Sequence, residues 1–269
     1  MVVERALSFC STHQISIIVP MHNSSQHIAT TVESILSQQN CRFQVIFIDA
    51  GSQDRTQEIV RSYELDGEHL RLEHMPQATL FEMINYAIQK ADGEYIQILF
   101  PGDSYLYPDA LAIAMAEITN GYFPDLFYSA CFINDDWLEQ NLLFCPLDTE
   151  LLHLAIEPTA LQACWMKKAL FKKIGKFNEK LVRSNALDFF IRISQNHKVT
   201  VHSDMRVYTN IQSEPLSTPS LLRSFRENFQ IIRTHFGLGF AFFWLFKQKE
   251  AKLFFLHSLK KLSRAFQSK

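Results

Sequence analysis

Ile96-Gln97-Ile98-Leu99-Phe100-Pro101-Gly102-Asp103-Ser104 is the stretch that decides the fold class of this chain. An apolar run long enough for one buried strand stops at Pro101-Gly102 and delivers one carboxylate, Asp103, just beyond the strand's C-terminal end. In open α/β sheets ligands bind in the crevice outside the carboxyl ends of the strands. Gly102 lets the backbone turn tightly at positive φ and lets a ligand approach closely. A lone Asp at such a place suits a hard divalent cation, with phosphate and water filling its other positions. Taken alone, the same residues also read as a strand closed by a plain Pro-Gly-Asp turn.

The flanking sequence repeats the pattern. Ile15-Ser16-Ile17-Ile18-Val19 is a short β-branched run closed by Pro20, and Phe43 to Ile48 is a second apolar run broken by Asp49-Ala50-Gly51-Ser52. Between them Ile28, Val32, Ile35 and Leu36 recur at helical spacing after a Ser24/Ser25 cap. Asp54 or Thr56 opens a further helix, Leu70 to Glu73 is a short strand, and Leu80 to Lys90 is helical, with Met83, Ile84, Ala87 and Ile88 inward. A helix from Asp109 to about Thr119 follows the opening strand. Strands alternating with helices at this spacing predict an α/β fold with right-handed crossovers and a mostly parallel sheet. The polar turns Pro20-Met21-His22-Asn23, Asp49 to Asp54 and Gly102-Asp103 then gather along one edge. That edge holds neither G-x-G-x-x-G nor a Walker loop, which argues against dinucleotide redox and P-loop chemistry.

The C-terminal half is less regular. Leu126 to Phe132 reads as a strand, Leu161 to Ile174 as a strand running into a helix that ends at Gly175, Leu187 to Gln195 as a helix, and Lys198 to His202 as a strand. Ser213 to Ser220 is the clearest linker.

Composition sets outer limits. The chain has 269 residues, 47% of them hydrophobic and 20% charged, enough for one sizeable core. A formal net charge of −2 points to no nucleic-acid partner. Five cysteines without a C-x-x-C pair favour neither a zinc site nor a disulfide framework and suit a reducing compartment. Residues 1–11 carry Glu4 and Arg5 and do not read as a signal peptide. The expectation is a cytoplasmic protein.

Taken together the turns resemble the family 2 glycosyltransferases, inverting sugar transferases of the GT-A fold. Ile15 to Asn23 is similar to that family's first strand and its P-x-[YH]-N turn. Asp49-Ala50-Gly51-Ser52-Gln53-Asp54-Arg55-Thr56 resembles D-[DG]-G-S-x-D-G-T. Ala91-Asp92-Gly93-Glu94-Tyr95-Ile96 resembles the A-x-G-E-Y-I lead-in, and Gly102-Asp103 with Pro108-Asp109 resembles the N-[AS]-G-D form of the metal motif. The match runs from about residue 14 to about 200.

The resemblance implies a nucleoside diphosphate sugar as donor, UDP-sugars being the commonest, and a glycan or lipid-linked acceptor. Pro20, His22 and Asn23 would meet the base and ribose, Asp49, Gly51 and Ser52 would border the nucleotide, and Gly102 would line it. Asp103 would hold Mg²⁺ or Mn²⁺ against the diphosphate, with His197 or His202 as candidates to complete the shell. Phe177-Asn178-Glu179 to Asp188 resembles F-D-E-x₆-D-x-D, whose first spaced Asp supplies the base; here that position is Ala186. Asp188 is the remaining carboxylate and the candidate base. Positions two apart on a helix point about 200° apart, so Asp188 takes that role only from a loop or a shifted register. Ala50, Leu161 and Gln77-Ala78-Thr79 also depart from the family's pattern. A degenerate domain that binds nucleotide or glycan without transfer is therefore the second expectation.

The expected domains are a GT-A-like unit over residues 13–212 and a helical, aromatic and basic tail over 221–269. Phe236 to Phe246 is strongly apolar but far shorter than the roughly 20 residues a spanning helix needs. Lys247, Lys249, Lys252, Lys260, Lys261, Arg264 and Lys269 follow, against Glu250 alone. This combination suits either an interfacial segment on the inner face of an anionic membrane or a helical pair packed on the domain or on a second subunit.

Overall fold

The computed structural model describes residues 14–63, 69–135, 138–212 and 218–247. Residues 213–217 of the expected linker and residues 248–269 of the tail lie outside them. Among the described residues nine strands form one mixed sheet in the order β3-β2-β1-β4-β8-β6-β9-β5, with β7 pairing on β6. Strands β1 (Ile15–Met21), β2 (Phe43–Asp49), β3 (Leu70–His74) and β4 (Tyr95–Ile98) are parallel, as the β/α alternation predicted. β8 (Cys164–Lys167) runs antiparallel between β4 and β6 (Leu126–Asp135). β9 (Val201–Gln212) is parallel to β6 and antiparallel to the two-residue β5 (Ser104–Tyr105). The ends of β1, β2, β3, β4, β6 and β9 therefore point to one edge, and the start of β8 meets them there.

The apolar runs are explained by burial on both faces of the sheet. Along β1, Ile15, Ile17 and Val19 pack with Val45 and Phe47 against Ile28, Val32 and Ile35 of helix α1 (Ile28–Leu36). Ile18 faces the other way, with Ile46, Ile48 and the inward side of helix α3 (Leu80–Lys90). Each fully buried aliphatic of this kind contributes about 1.5–3 kcal/mol. Helix α3 starts where Thr79 accepts from the Glu82 N–H (3.4 Å) and Glu82 Oε2 accepts from the Thr79 N–H (2.7 Å), a reciprocal cap that satisfies two end groups. Pro20 sits inside β1, opposite Ile48. Ile18 faces β4 through its carbonyl, which accepts from the Leu99 N–H (3.0 Å). Pro20 therefore faces the same side, two residues beyond the last β1–β4 pair, where no N–H is needed.

The remaining helices are α2 (Thr56–Arg61), α4 (Ala110–Asn120), α5 (Thr149–His153), α6 (Leu170–Ile174), α7 (Asn185–Ser194), α8 (Thr218–Phe236) and α9 (Leu238–Lys247). Two differences from the sequence expectations have physical causes. β9 extends to Gln212 rather than His202 because β6 and β5 both pair with it, a long-range gain that local pattern does not carry. β5 and β7 were not expected: one is two residues long, the other pairs only with β6. The tail as far as Lys247 packs on the domain, one of the arrangements its sequence suits. Ile231 enters the main core, and Glu227, 7% exposed, accepts backbone N–H bonds from Val182 (3.0 Å), Arg183 (2.9 Å) and Ser184 (3.0 Å).

Candidate functional site

The turns after β1 and β2 form one hydrogen-bonded wall at the strand-end edge. The Asn23 N–H donates to Ser52 Oγ (2.9 Å), and the Gln53 N–H donates to Asn23 Oδ1 (2.8 Å). One residue on, the Ser24 N–H donates to Thr56 Oγ1 (2.7 Å) and the Ser25 N–H to Asp54 Oδ2 (3.0 Å). Asn23 has φ +48°, a left-handed conformation that Asn tolerates better than most residues. Burial alone would raise the Asp54 carboxyl, but hydrogen bonds from Thr56 and Ser25 outweigh it and hold the group well below the usual carboxylate range. His22 is exposed at the crest, its Nε2 3.2 Å from Asn23 Nδ2. Sequence reading singled out His22, Asn23 and Ser52. It gave Asp54 and Thr56 as helix openers and as part of the D-[DG]-G-S-x-D-G-T-like turn, and assigned neither a link to the first turn; their two-residue spacing is the signal of an Asx turn.

Asp49 is fully buried and committed to its own turn. Its carboxylate accepts from the N–H groups of Gly51 and Ser52 (both 2.9 Å), from Gln57 Nε2 (2.7 Å) and from Ser52 Oγ. Asp49 therefore shapes the border rather than presenting a free oxygen to it. Gly51, at φ +94°, gives the turn a conformation that side-chain-bearing residues rarely adopt. The next turn in the wall is Met75 to Ala78, whose Met75 and Gln77 N–H groups bond Asp49 O (2.9 Å) and Ala50 O (3.0 Å). Beside it opens a cavity of about 390 Å³, lined by Met75, Gln77, Asn85, Lys176 and Glu179 among others. A cavity of about 440 Å³ lies at the opposite edge, near the start of β9, with Lys173, Arg192 and Lys198 in its lining.

Asp103 is also fully buried. Oδ2 accepts from the Phe100 N–H (2.7 Å) and Oδ1 accepts from the Gln212 N–H (3.1 Å), with the Gln162 side chain beside them. Burial pushes its carboxyl up to about 7 against those bonds. The expected cation role does not fit this arrangement. Both oxygens already close the Pro101-Gly102 turn and tie it to the end of β9, and no group of three or more His, Cys, Asp or Glu gathers among the described residues. His202, a candidate for the same shell, stacks on Phe127 (ring centroids 5.7 Å apart) at the opposite edge. Gly102, at φ +102°, packs so closely that a Cβ would stand 3.0 Å from Gln212 Cβ. It closes the turn against β9.

The comparisons with known proteins agree with this architecture. The family model described as glycosyl transferase family 2 matches residues 16–175, well over half of the chain. This chain belongs to glycosyl transferase family 2. An uncharacterized glycosyltransferase of Rickettsia typhi is 26% identical over 204 residues, covering 70% of this chain and 63% of that one. The uncharacterized glycosyltransferase YibD of Escherichia coli is 31% identical over 127 residues, covering 47% of this chain and 35% of its own length. The chain thus spans less than two thirds of these curated relatives. In structure it is similar to S. aureus TarS 1-349 in complex with UDP-GlcNAc, with a TM-score of 0.65 at 20% identity, covering 82% of this chain and 66% of that one. It is also similar to the mannosyltransferase PcManGT of Pyrobaculum calidifontis, solved with GDP-Man and Mn²⁺, with a TM-score of 0.57 at 16% identity and coverage of 99% and 88%. At such identities the likeness establishes the GT-A fold.

Ala186, where the resemblance led to the expectation of a base, lies in the first turn of α7. Asp188 lies two residues further along the same helix and therefore points elsewhere. Its Oδ2 accepts from Arg192 Nε (2.8 Å), and its Oδ1 is 2.9 Å from His235 Nε2 on α8. Burial alone would raise this carboxyl; His235 and Arg192 outweigh it and hold it below the usual range. The expected base is thus an ion-pair hub that fastens α8 to α7. Sequence reading passed over Glu157, whose carboxyl is influenced by the backbone N–H of Leu187, next to Ala186. Burial pushes Glu157 up to about 7. Its loop is bonded to β6 through Thr159 Oγ1 and Ser129 O (2.8 Å) and leads into Gln162, beside Asp103. The signal available was a single acid inside the apolar run Leu154-Ala155-Ile156-Glu157-Pro158.

Proposed function

We propose that this chain transfers a sugar from a nucleoside diphosphate donor, a UDP-sugar foremost, to a hydroxyl of a glycan or lipid-linked glycan, with inversion. The observation that carries this reading is the wall built by Asn23, Ser52, Gln53 and Thr56 at the strand ends of a family 2 domain. Exposed His22 offers an aromatic face for a base there, and Gly51 allows close backbone approach. In a single displacement the acceptor oxygen attacks the anomeric carbon and the bond from that carbon to the diphosphate oxygen breaks. The acceptor proton passes to Glu157, whose carboxyl near 7 suits general-base work at neutral pH. Mg²⁺ or Mn²⁺ at Asp103 is not part of this proposal, because the Asp103 oxygens are spoken for by Phe100 and Gln212.

The reading without catalysis draws support from the internal pairing of Asp49, Asp103 and Asp188. Release of UDP from UDP-GlcNAc, followed with and without Glu157→Gln, separates the two. Turnover lost in the variant while UDP binding is kept supports transfer. UDP binding with no turnover in the unmodified chain supports the binding role.

A further inference from the structure

Residues 144–160 join β7 to the short helical turn Leu161–Ala163, and they carry Glu157. A single buried side chain fastens the start of this loop to the sheet. Tyr128 on β6 is 2% exposed, and its hydroxyl accepts from the Leu147 N–H (2.9 Å) and donates to Cys145 O (3.2 Å). A buried phenol normally finds a partner; this one uses its donor and an acceptor site on the same loop. Its ring packs on Phe144, with centroids 5.7 Å apart.

Cys145 carries the hold across to the returning limb. Its N–H donates to Pro158 O (2.9 Å), and its thiol donates to Glu157 O (3.4 Å). Burial raises the Cys145 thiol, which keeps the S–H available as a donor. A thiol is a weak donor, but the N–H bond beside it is of ordinary length. A chain of hydrogen bonds thus runs from the core phenol through Cys145 to the Glu157-Pro158 peptide. Burial, not a neighbouring charge, raises the Glu157 carboxyl. The Cys164 thiol that senses Glu157 is itself buried and pushed up, hence neutral. A loop lifted from β6 would wet the Glu157 carboxyl and return it toward the ordinary glutamate range.

We propose that Tyr128 and Cys145 are positioning residues for Glu157: the phenol seats the loop, and Cys145 fixes the peptide that presents the carboxyl. Their consequence for turnover rests on the transfer reading above; the positioning itself does not. The test is carbon NMR titration of the Glu157 carboxyl in the full chain, its signal identified by Glu157→Gln, beside the pH profile of UDP release from UDP-GlcNAc. Both are measured on the unmodified chain, Tyr128→Phe and Cys145→Ala. Tyr128→Phe keeps the ring and removes the hydroxyl, while Cys145→Ala, at a half-buried position, carries the same prediction should the first variant not fold. The expected result is a Glu157 carboxyl lower by about one pH unit or more in Tyr128→Phe, and lower by less in Cys145→Ala. The acidic limb of UDP release should move with it and kcat should fall about 10–100-fold, with UDP affinity unchanged. A Glu157 titration that neither variant moves overturns the proposal, even where thermal unfolding shows lost stability, because a purely structural role changes stability alone. So does an ordinary glutamate value in the unmodified chain. Absence of UDP release from the unmodified chain counts against the transfer reading, and the titration still decides the positioning by itself.

Discussion

Replacing Asp188 by Asn should weaken the fold and leave the chemistry intact. The carboxylate meets Arg192 at 2.8 Å and His235 at 2.9 Å, and the three side chains are only 12%, 19% and 16% exposed, so solvent screens little of the interaction. Hydrogen bonds to a charged group contribute about 1.5–3 kcal/mol each, against about 0.5–1.5 for neutral ones. Exchanging the charge for an amide of the same shape should therefore cost about 2 kcal/mol, a sizeable part of the roughly 5–15 kcal/mol that holds a domain folded. Urea unfolding at pH 7 measures this. The Asp188 carboxyl is held low in the folded state, so its contribution is present above the ordinary carboxylate value near 4 and disappears as pH falls through the lower folded value. The gap between the two proteins should accordingly close in acid. A double-mutant cycle with His235→Ala should return about 1 kcal/mol of coupling. An Asp188→Asn protein within about 0.5 kcal/mol of the original that has lost turnover a hundredfold would refute the clamp and restore Asp188 as the base.

Glu157→Gln should keep UDP affinity and lower turnover by about 10²–10⁴, the usual contribution of a general base. The acidic limb of the rate profile, expected near pH 7 in the unmodified chain, should vanish with it. Gly102→Ala should cost about 1–2 kcal/mol in thermal unfolding, since a side chain at φ +102° is strained and its Cβ meets Gln212 at 3.0 Å. The buried Asp103 carboxyl is raised to about 7, so the neutral form is the comfortable one inside. Its contribution is full below pH 4 and is lost as pH rises from about 4 to about 7. Asp103→Asn should remove that slope from the stability profile, as read by urea unfolding across this range.

The parallel half of the fold was legible because its information is local. Runs such as Ile15 to Val19 and Phe43 to Ile48 are apolar on both faces, and the turns that end them carry Pro, Gly and Asp. The turn residues were likewise correctly brought to one edge. Side-chain roles were less legible, because each is fixed by a partner distant in sequence. Asp103 owes its enclosure to Gln212, which arrives through the β5–β9 pairing. Asp188 is claimed by His235, 47 residues away. Glu157 matters through the Leu187 N–H. Asp49 is the opposite case: its partners lie within eight residues, and the Asx-turn chemistry of Asp-x-Gly-Ser-like segments already contains the answer.

The central claim is that the joined β1 and β2 turns bind the nucleoside diphosphate of a sugar donor. Calorimetric titration with UDP and with GDP, on the unmodified chain and on Asn23→Ala, tests it most directly. The account predicts saturable binding of one of the two, weakened about tenfold when the Asn23 link between the turns is removed. No binding of either nucleotide, or binding that Asn23→Ala leaves untouched, would contradict it.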